Sequence, residues 1–174
     1  MKHRSLRTLS FLLLIATHLS LSAATTVTVD GIRYNLDETS LTAEVGDNKS
    51  FVGDCVIPDA VTYDGNTYTV TSIGEDAFYR CEKLMSVSIP SSVTIISDYA
   101  FGWCINLEFV DIPNSVTSIG KFAFQKCESL LAITIPNSVA SIGDGAFNGC
   151  TKIASVFIPS SVTSIVDNPF TRCS

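Results

Sequence analysis

The chain has 174 residues, of which 46% are hydrophobic and 16% are charged, a balance that excludes intrinsic disorder and allows one domain with a sizeable core. Three of the 11 Lys and Arg lie in the first 24 residues, so the rest of the chain carries eight basic against 17 acidic side chains, a net charge of −9. This acidity excludes nucleic acid and anionic membrane surfaces as partners, because both attract basic patches.

The first 24 residues have the pattern of a secretory signal peptide. Lys2, Arg4 and Arg7 form a basic start, residues 9–16 form a short apolar run, and small residues precede a cleavage point after Ala24. The alternative, an uncleaved anchor, is disfavoured because the run is too short to span about 30 Å of hydrocarbon. No later apolar stretch approaches the length of a span, so we predict a secreted or cell-surface protein with no membrane span.

Removal of the leader also removes both histidines, His3 and His18. Ser-His and Cys-His nucleophile pairs and histidine-ligated metals are then excluded. The sequence has no Asp-rich calcium loop, no Gly-rich phosphate loop and no marked carboxylate pair. We therefore predict that the protein is not an enzyme and that it uses no cofactor and no metal.

Residues 25–72 predict an N-terminal β cap. Alternating residues 26–29 and 32–36 flank Asp30-Gly31, a hairpin signal. A second turn, at residues 64–66, has two interpretations: a further cap hairpin, or a protruding binding loop that exposes Tyr63 and Tyr68. Val56-Ile57-Pro58 is a degenerate first repeat, and Cys55 beside it lies off the register of the later cysteines, either free or paired within the cap.

From residue 73 to residue 174 the chain repeats with a period of 23 residues, in four full units and one partial unit. Internal repeats of this length are typical of solenoids, in which each unit buries its apolar face against its neighbours. Five columns share the period: Ala77, Ala100, Ala123 and Ala146; Phe78, Phe101, Phe124, Phe147 and Phe170; Cys81, Cys104, Cys127, Cys150 and Cys173; Leu84, Leu107, Leu130 and Ile153; and Pro90, Pro113, Pro136 and Pro159.

One repeat unit shows which local structure each of its parts predicts. Residues 133–135 alternate apolar and polar side chains and favour a short strand that Pro136 ends. Gly120 and Gly143 predict tight bends with positive φ. Residues 123–130 have apolar spacing that suits about one helical or 3₁₀ turn. Strands of successive units would pair in parallel about 4.8 Å apart, with identical side chains stacked through the core.

The pattern I-G-x-x-A-F-x-x-C-x-x-L-x-x-V-x-I-P-x-S-V over residues 73–174 resembles the BspA-like leucine-rich repeat. The resemblance implies a secreted or surface protein of the kind found in anaerobic mucosal bacteria and some mucosal protozoa, associated with adhesion. The fold we predict is a β-rich solenoid of leucine-rich-repeat type, with 23-residue repeats and an N-terminal β-hairpin cap.

The cysteine column predicts buried free thiols that pack as small hydrophobic groups. Equivalent side chains on neighbouring coils lie parallel at strand separation, whereas a disulfide needs Cβ atoms about 3.8 Å apart and angled together.

Outward positions of the strands are the candidate binding site, because they vary between repeats while the core columns do not. Phe109 and Phe157 are exposed-face aromatics typical of interface anchors, and Asp111 adds a polar group. The alternative is that Phe109 packs on a neighbour and Phe157 covers the last repeat. Tyr99 and Trp103, on the connecting segment, are secondary aromatic candidates. The two columns are Ser86, Phe109, Ala132 and Ser155, and Ser88, Asp111, Thr134 and Phe157.

These features predict an interaction module that binds a protein or glycan through its strand face, in the manner of an adhesin. The alternative is a structural spacer or self-assembling surface protein without a dedicated ligand. In that case the open C-terminal coil would stack on another chain, because exposed ladder ends self-associate.

Overall fold

The computed structural model describes residues 24–154, 156–165 and 169–173. Within those ranges the chain forms twelve strands and no α-helix. The predicted leader lies outside the described residues except for Ala24. The strands are β1 (Thr25–Val29), β2 (Ile32–Asp37), β3 (Thr42–Val45), β4 (Gly53–Val56), β5 (Ala60–Tyr63), β6 (Asn66–Ile73), β7 (Leu84–Ser88), β8 (Ile95–Ile96), β9 (Phe109–Asp111), β10 (Ser118–Ile119), β11 (Ser141–Ile142) and β12 (Ser164–Ile165).

The predicted hairpin cap is present at the start of this region. β1 and β2 pair antiparallel around Asp30 and Gly31, whose φ angles are 48° and 81°. Positive φ at both positions is what a type I′ turn requires and what the Asp-Gly pair favours. β3 pairs antiparallel with β2 and parallel with β6, so the cap continues directly into a sheet of the solenoid.

The second predicted hairpin also forms, between β5 and β6. Its turn residues Asp64 and Gly65 again have positive φ, 48° and 77°. Tyr63 is exposed, but Tyr68 is only 2% exposed and packs in the core. The interpretation as a binding loop that exposes both tyrosines is therefore wrong for Tyr68, which the alternation of β6 turns inward.

Each coil of the solenoid contributes to two parallel ladders on different sides. A three-stranded sheet has the order β4-β7-β9, and its outer surface, continued by the equivalent segments of later coils, is called the strand face below. A larger sheet has the order β1-β2-β3-β6-β8-β10-β11-β12, with β5 on β6. The segment that joins the larger sheet to the strand face in each coil forms a third side, the turn face.

The predicted strand at residues 133–135 does not form. Its side chains alternate as expected, with Ile133 and Ile135 buried and Thr134 exposed. Just before this segment, the Leu131 N–H donates to the Glu108 carbonyl, which precedes β9, at 3.3 Å, longer than a typical ladder bond. The alternation predicts which side chains face inward, whereas a hydrogen-bonded ladder also depends on the separation between coils.

The core consists of the predicted side-chain ladders. Neighbouring Phe rings from Phe78 to Phe170 stack nearly parallel, with centroids 5.1 to 5.3 Å apart. Phe51 of the cap closes this stack edge-on against Phe78, at 6.2 Å and 85°. The leucine and alanine columns are buried alongside. Because every ring contacts the rings of adjacent coils, the stack forms a continuous core from the cap through the repeats.

The repeat glycines act through close approach of two coils, and the prediction of positive φ at Gly120 and Gly143 is wrong. A Cβ added to Gly120 would lie 2.5 Å from the Asp98 backbone nitrogen, and one added to Gly143 would collide with the Lys121 nitrogen. Glycine is needed here because the neighbouring backbone occupies the space of a side chain.

Left-handed backbone occurs later in each turn, at Gly145 and Gly149 in one coil and at non-glycine residues in the coils before it. Phe122 and Lys126 have φ of 53° and 59°, and the Lys126 N–H thereby donates to the Asn148 carbonyl of the next coil, at 2.7 Å. The predicted helical turn is thus broken into separate tight turns, such as the bond from the Cys127 N–H to the Phe124 carbonyl at 3.2 Å.

The prediction of buried free thiols is confirmed for this column, with Cys173 half-buried. The structure adds that each thiol from Cys104 onward donates to the carbonyl of the Phe column one coil back, and that Cys81 donates to the Phe51 carbonyl of the cap. Cys104 Sγ lies 3.0 Å from the Phe78 oxygen, and Cys127 Sγ lies 3.2 Å from the Phe101 oxygen. Burial raises the pKa of the Cys104 and Cys127 thiols, which keeps them protonated and able to donate.

Cys55 is free, and it lies off the register of the later cysteines as predicted. It pairs with Val87 in the β4–β7 register and is 1% exposed. Burial raises the pKa of this thiol to about 12. Cys55 therefore occupies the inward strand position of the degenerate first coil.

Candidate functional site

The parallel register of three strands builds the central part of the strand face. Ser86 pairs with Phe109, and Ser88 pairs with Asp111. Because alternate side chains of a strand point to opposite sides, these four residues lie in two adjacent outward columns. Val87 and Val110 between them point toward the core. The sequence-predicted site residues of β7 and β9 are thus brought together.

The two aromatic candidates are strongly exposed. Phe109 is 58% exposed and Phe157 is 77% exposed. These values contradict the alternative in which Phe109 packs on a neighbour and Phe157 covers the last coil. Among the remaining candidates, Ser88, Asp111, Ala132 and Thr134 are exposed and Ser86 is half-buried. Ser155 lies outside the described residues.

Two residues of the site escaped the sequence analysis. Asp54 and Val56 in β4 pair with Ser86 and Ser88, so they extend the two outward columns by one coil. Val56 is 72% exposed, and Asp54 Oδ1 accepts a hydrogen bond from Ser86 Oγ at 2.7 Å. Counting back from Pro58 as in the later repeats would have found both residues, but the inserted second hairpin hid the correspondence.

A shallow depression of about 360 Å³ adjoins the strand face at its edge near β4. Met85, 50% exposed, and Val52, 64% exposed, give it an apolar lining, and Glu108 and Lys83 add charge. Leu131, 46% exposed, lies one coil beyond Glu108 in the same column. Apolar exposure therefore continues beyond the two predicted columns.

Exposed carboxylates accompany this apolar surface. Asp54, Glu108 and Asp111 are all exposed. In the part of the chain that the structure describes, the ion pairs lie elsewhere, between Lys49 and Asp47 and between Lys126 and Glu128. The strand face is therefore both apolar and acidic.

The secondary candidates Tyr99 and Trp103 lie on the turn face and not on the strand face. Trp103 is 37% exposed and contacts the Arg80 guanidinium and the Lys126 ammonium, 5.7 and 5.9 Å from its ring centroids. Tyr99 stacks on Phe122 at 5.1 Å. Tyr99 thus has an aromatic stacking partner and Trp103 has cationic partners on neighbouring coils, which gives both aromatics a role in joining coils.

Over the described ranges, no group of three or more His, Cys, Asp or Glu side chains has the arrangement of a metal site. Within the same ranges, no helix is long and apolar enough to cross a bilayer.

Comparison with known proteins gives one family and several related folds. The family model described as the BspA type leucine rich repeat region matches residues 60–174 in six copies. A leucine-rich repeat protein from Bacteroides ovatus ATCC 8483 is 39% identical, with a TM-score of 0.75 over 83% of this chain and 38% of that chain. The T. pallidum leucine rich repeat protein TpLRR is 30% identical, with a TM-score of 0.75 over 86% of this chain and 68% of that chain.

A leucine rich cell surface protein from Faecalibacterium prausnitzii A2-165 is 26% identical, with a TM-score of 0.52 over 87% of this chain and 53% of that chain. This chain therefore spans 38% of the B. ovatus protein and about half of the F. prausnitzii protein. No curated protein sequence matches it.

Proposed function

Because the chain belongs to the BspA-type leucine-rich repeat family, we propose that it is a secreted or cell-surface interaction module. It binds a protein or glycan partner through the strand face, in the manner of an adhesin. The binding surface consists of the predicted columns together with the two residues that β4 adds: Asp54, Ser86, Phe109, Ala132 and Ser155, and Val56, Ser88, Asp111, Thr134 and Phe157.

The exposure of large apolar side chains on a regular strand surface carries this proposal. Val56, Phe109 and Phe157 are each more than half exposed, although the same chain buries the first four members of its repeat Phe column completely. Exposed apolar side chains grouped on one face and rimmed by polar residues are typical of protein interaction sites. Aromatic side chains in particular supply most of the binding energy of many interfaces.

The predicted leader and the family context support a location outside the cytoplasm. Residues 1–24 have the charge and hydropathy of a signal peptide, and one structural relative is described as a cell surface protein. A protein in that location meets host or microbial surfaces. Its binding to them through the strand face is adhesion.

A capture experiment tests the proposal. Immobilised residues 25–174 are exposed to matrix proteins, mucins and bacterial surface extracts, beside a Phe109→Ala/Asp111→Ala/Phe157→Ala variant. The control variant is Tyr63→Ala/Ile95→Ala, which removes two comparably exposed apolar side chains away from the strand face. We expect capture by the wild type and the control variant and its loss in the strand-face variant.

Equal capture by all three proteins would place the site elsewhere. Failure of all three to capture any component would contradict the adhesin proposal. A mass that grows with concentration in light scattering would then favour self-assembly.

A further inference from the structure

We propose that the partner bound by the strand face is a basic polypeptide segment with exposed apolar side chains. This inference rests on the proposed function, because it names the partner chemistry of the same surface. Three observations carry it: the charge of the face, its apolar groups, and the dimensions of the two columns.

Charge complementarity indicates a basic partner. Asp54, Glu108 and Asp111 are exposed within three successive coils of the face, and the ion pairs of the described chain do not involve them. The nearest basic residues along the repeat, Lys83 and Lys152, lie at the margin of the face. Complementary charge steers encounter and selects partners, whereas like charge opposed across an interface is repelled.

The same charges disfavour two other occupants. A second copy of this chain, docked face to face, would oppose identical carboxylates across the interface. A neutral glycan would desolvate Asp111 and Glu108 without supplying a cation, and a buried unpaired charge is strongly unfavourable. Basic side chains remove both difficulties, because they pair with the carboxylates as the surface dehydrates.

The exposed apolar side chains of the strand face indicate that the partner also presents hydrophobic side chains. Met85, Phe109 and Leu131 are each about half exposed, and Val56 and Phe157 are exposed by 72% and 77%. These side chains alternate with the carboxylates across the face. A purely polar basic chain would leave them in contact with water, so the segment must present apolar and basic side chains on one side.

The dimensions of the column suit such a segment. Val56, Ser88, Asp111, Thr134 and Phe157 cross four coil-to-coil steps, which at about 4.8 Å each span roughly 19 Å. An α-helix rises about 1.5 Å per residue, so about 13 residues of an amphipathic helix would cover this length. The helix pitch of about 5.4 Å also places side chains of successive turns near successive coils.

Three synthetic peptides of about 18 residues test the inference, all with the same leucine stripe and with Lys, Gln or Glu at the polar positions. Their affinities for residues 25–174 are measured by fluorescence anisotropy at about 50 mM and about 500 mM salt. The test variant is Asp54→Asn/Glu108→Gln/Asp111→Asn. The control variant, Asp64→Asn/Glu75→Gln/Asp144→Asn, removes the same charge from positions outside the strand face.

We expect the Lys peptide to bind most tightly, the Gln peptide weakly and the Glu peptide not at all. The test variant should weaken binding of the Lys peptide by at least about 10-fold and the control by less than about 2-fold, and high salt should weaken it too. Equal affinity for all three peptides, absence of binding, or equal losses in both variants would overturn the inference. Strand-face-dependent capture in the preceding experiment would then still support the proposed function, since that capture requires no basic partner.

Discussion

Phe109 and Phe124 are the same residue type in two environments of one solenoid. Phe124 is fully buried in the ring stack, whereas Phe109 is 58% exposed on the strand face. Removal of a buried aromatic side chain loses its transfer free energy and leaves a cavity. Removal of an exposed aromatic side chain loses little free energy of unfolding. Substitutions at the two positions therefore distinguish a role in stability from a role in the proposed binding.

We predict that Phe124→Ala lowers the free energy of unfolding by about 3–5 kcal/mol. Phe109→Ala should change it by less than about 0.5 kcal/mol, as is usual for surface positions. Denaturant titration of both variants measures the difference. A large loss of stability in Phe109→Ala would show that this side chain belongs to the packing of the solenoid and not to a binding surface.

A glycine of the repeat and a glycine of the cap differ in their environment. A methyl group at Gly143 would collide with the backbone of the neighbouring coil, whereas the atoms nearest to one at Gly46 belong to the side chain of Asn35, at 3.3 Å. Neither glycine has positive φ. The two positions therefore isolate the effect of close backbone approach from that of backbone conformation.

Gly143→Ala should lower the free energy of unfolding by about 1–3 kcal/mol, because overpacking forces the coils apart. Gly46→Ala should be nearly neutral, since the added methyl group also reduces the entropy of the unfolded chain. Thermal melts of the two variants test this. Similar melting temperatures for both would contradict the account of coil contact at the repeat glycine.

At the scale of the strands, the 23-residue columns predict the buried ladders because stacked coils must superpose equivalent residues. They also predict which side chains of β7 and β9 point outward. They do not predict the two-residue strands β8, β10, β11 and β12, since such short segments carry little alternation of their own. Nor do they predict that residues 133–135 lack a ladder, because hydrogen-bond length depends on tertiary separation between coils.

The β4 strand shows a second limit of sequence reading. Asp54 and Val56 lie as far before Pro58 as Ser86 and Ser88 lie before Pro90, but the hairpin inserted after Pro58 breaks the 23-residue spacing that identified the later columns. Left-handed residues such as Phe122 were missed because an aromatic side chain does not favour positive φ, although Gly145 occupies the same repeat position and also has positive φ.

Cys55 gives a testable consequence of the β4 register. It occupies the position of Val87, and burial holds its pKa at about 12, above the ordinary value of 9.0. An unfolded chain ionises this thiol earlier than the folded chain does. The thiol therefore contributes full stability below about pH 9, and this contribution is lost as pH rises toward 12.

We predict that Cys55→Val keeps the stability of the wild type near pH 7, because valine fits the same column. Between about pH 9 and 12 the variant should lose less stability than the wild type, by up to about 1.4 kcal/mol per pH unit. Urea titrations across this range measure the two slopes. Identical slopes would mean that the thiol ionises equally in both states and is not buried in the strand layer.

At the scale of the whole molecule, the coil has three sides with different uses. The larger sheet joins the cap to the repeats, the turn face holds coils together through stacked aromatics and close glycines, and the strand face leaves apolar and acidic groups exposed. A solenoid keeps each side continuous from coil to coil. The proposed binding surface on the strand face can therefore vary while the core columns stay constant.

Photo-cross-linking tests the central claim, that partners bind the strand face, most directly. A photoreactive aromatic residue replaces Ser88 or Thr134 on the strand face, or Glu75 between the larger sheet and the turn face, in residues 25–174. The native side chains at all three positions are exposed. After incubation with the matrix, mucin and bacterial surface panel, we predict cross-linked adducts from positions 88 and 134 and none from position 75. Adducts from position 75 alone, or equally from all three positions, would contradict the claim.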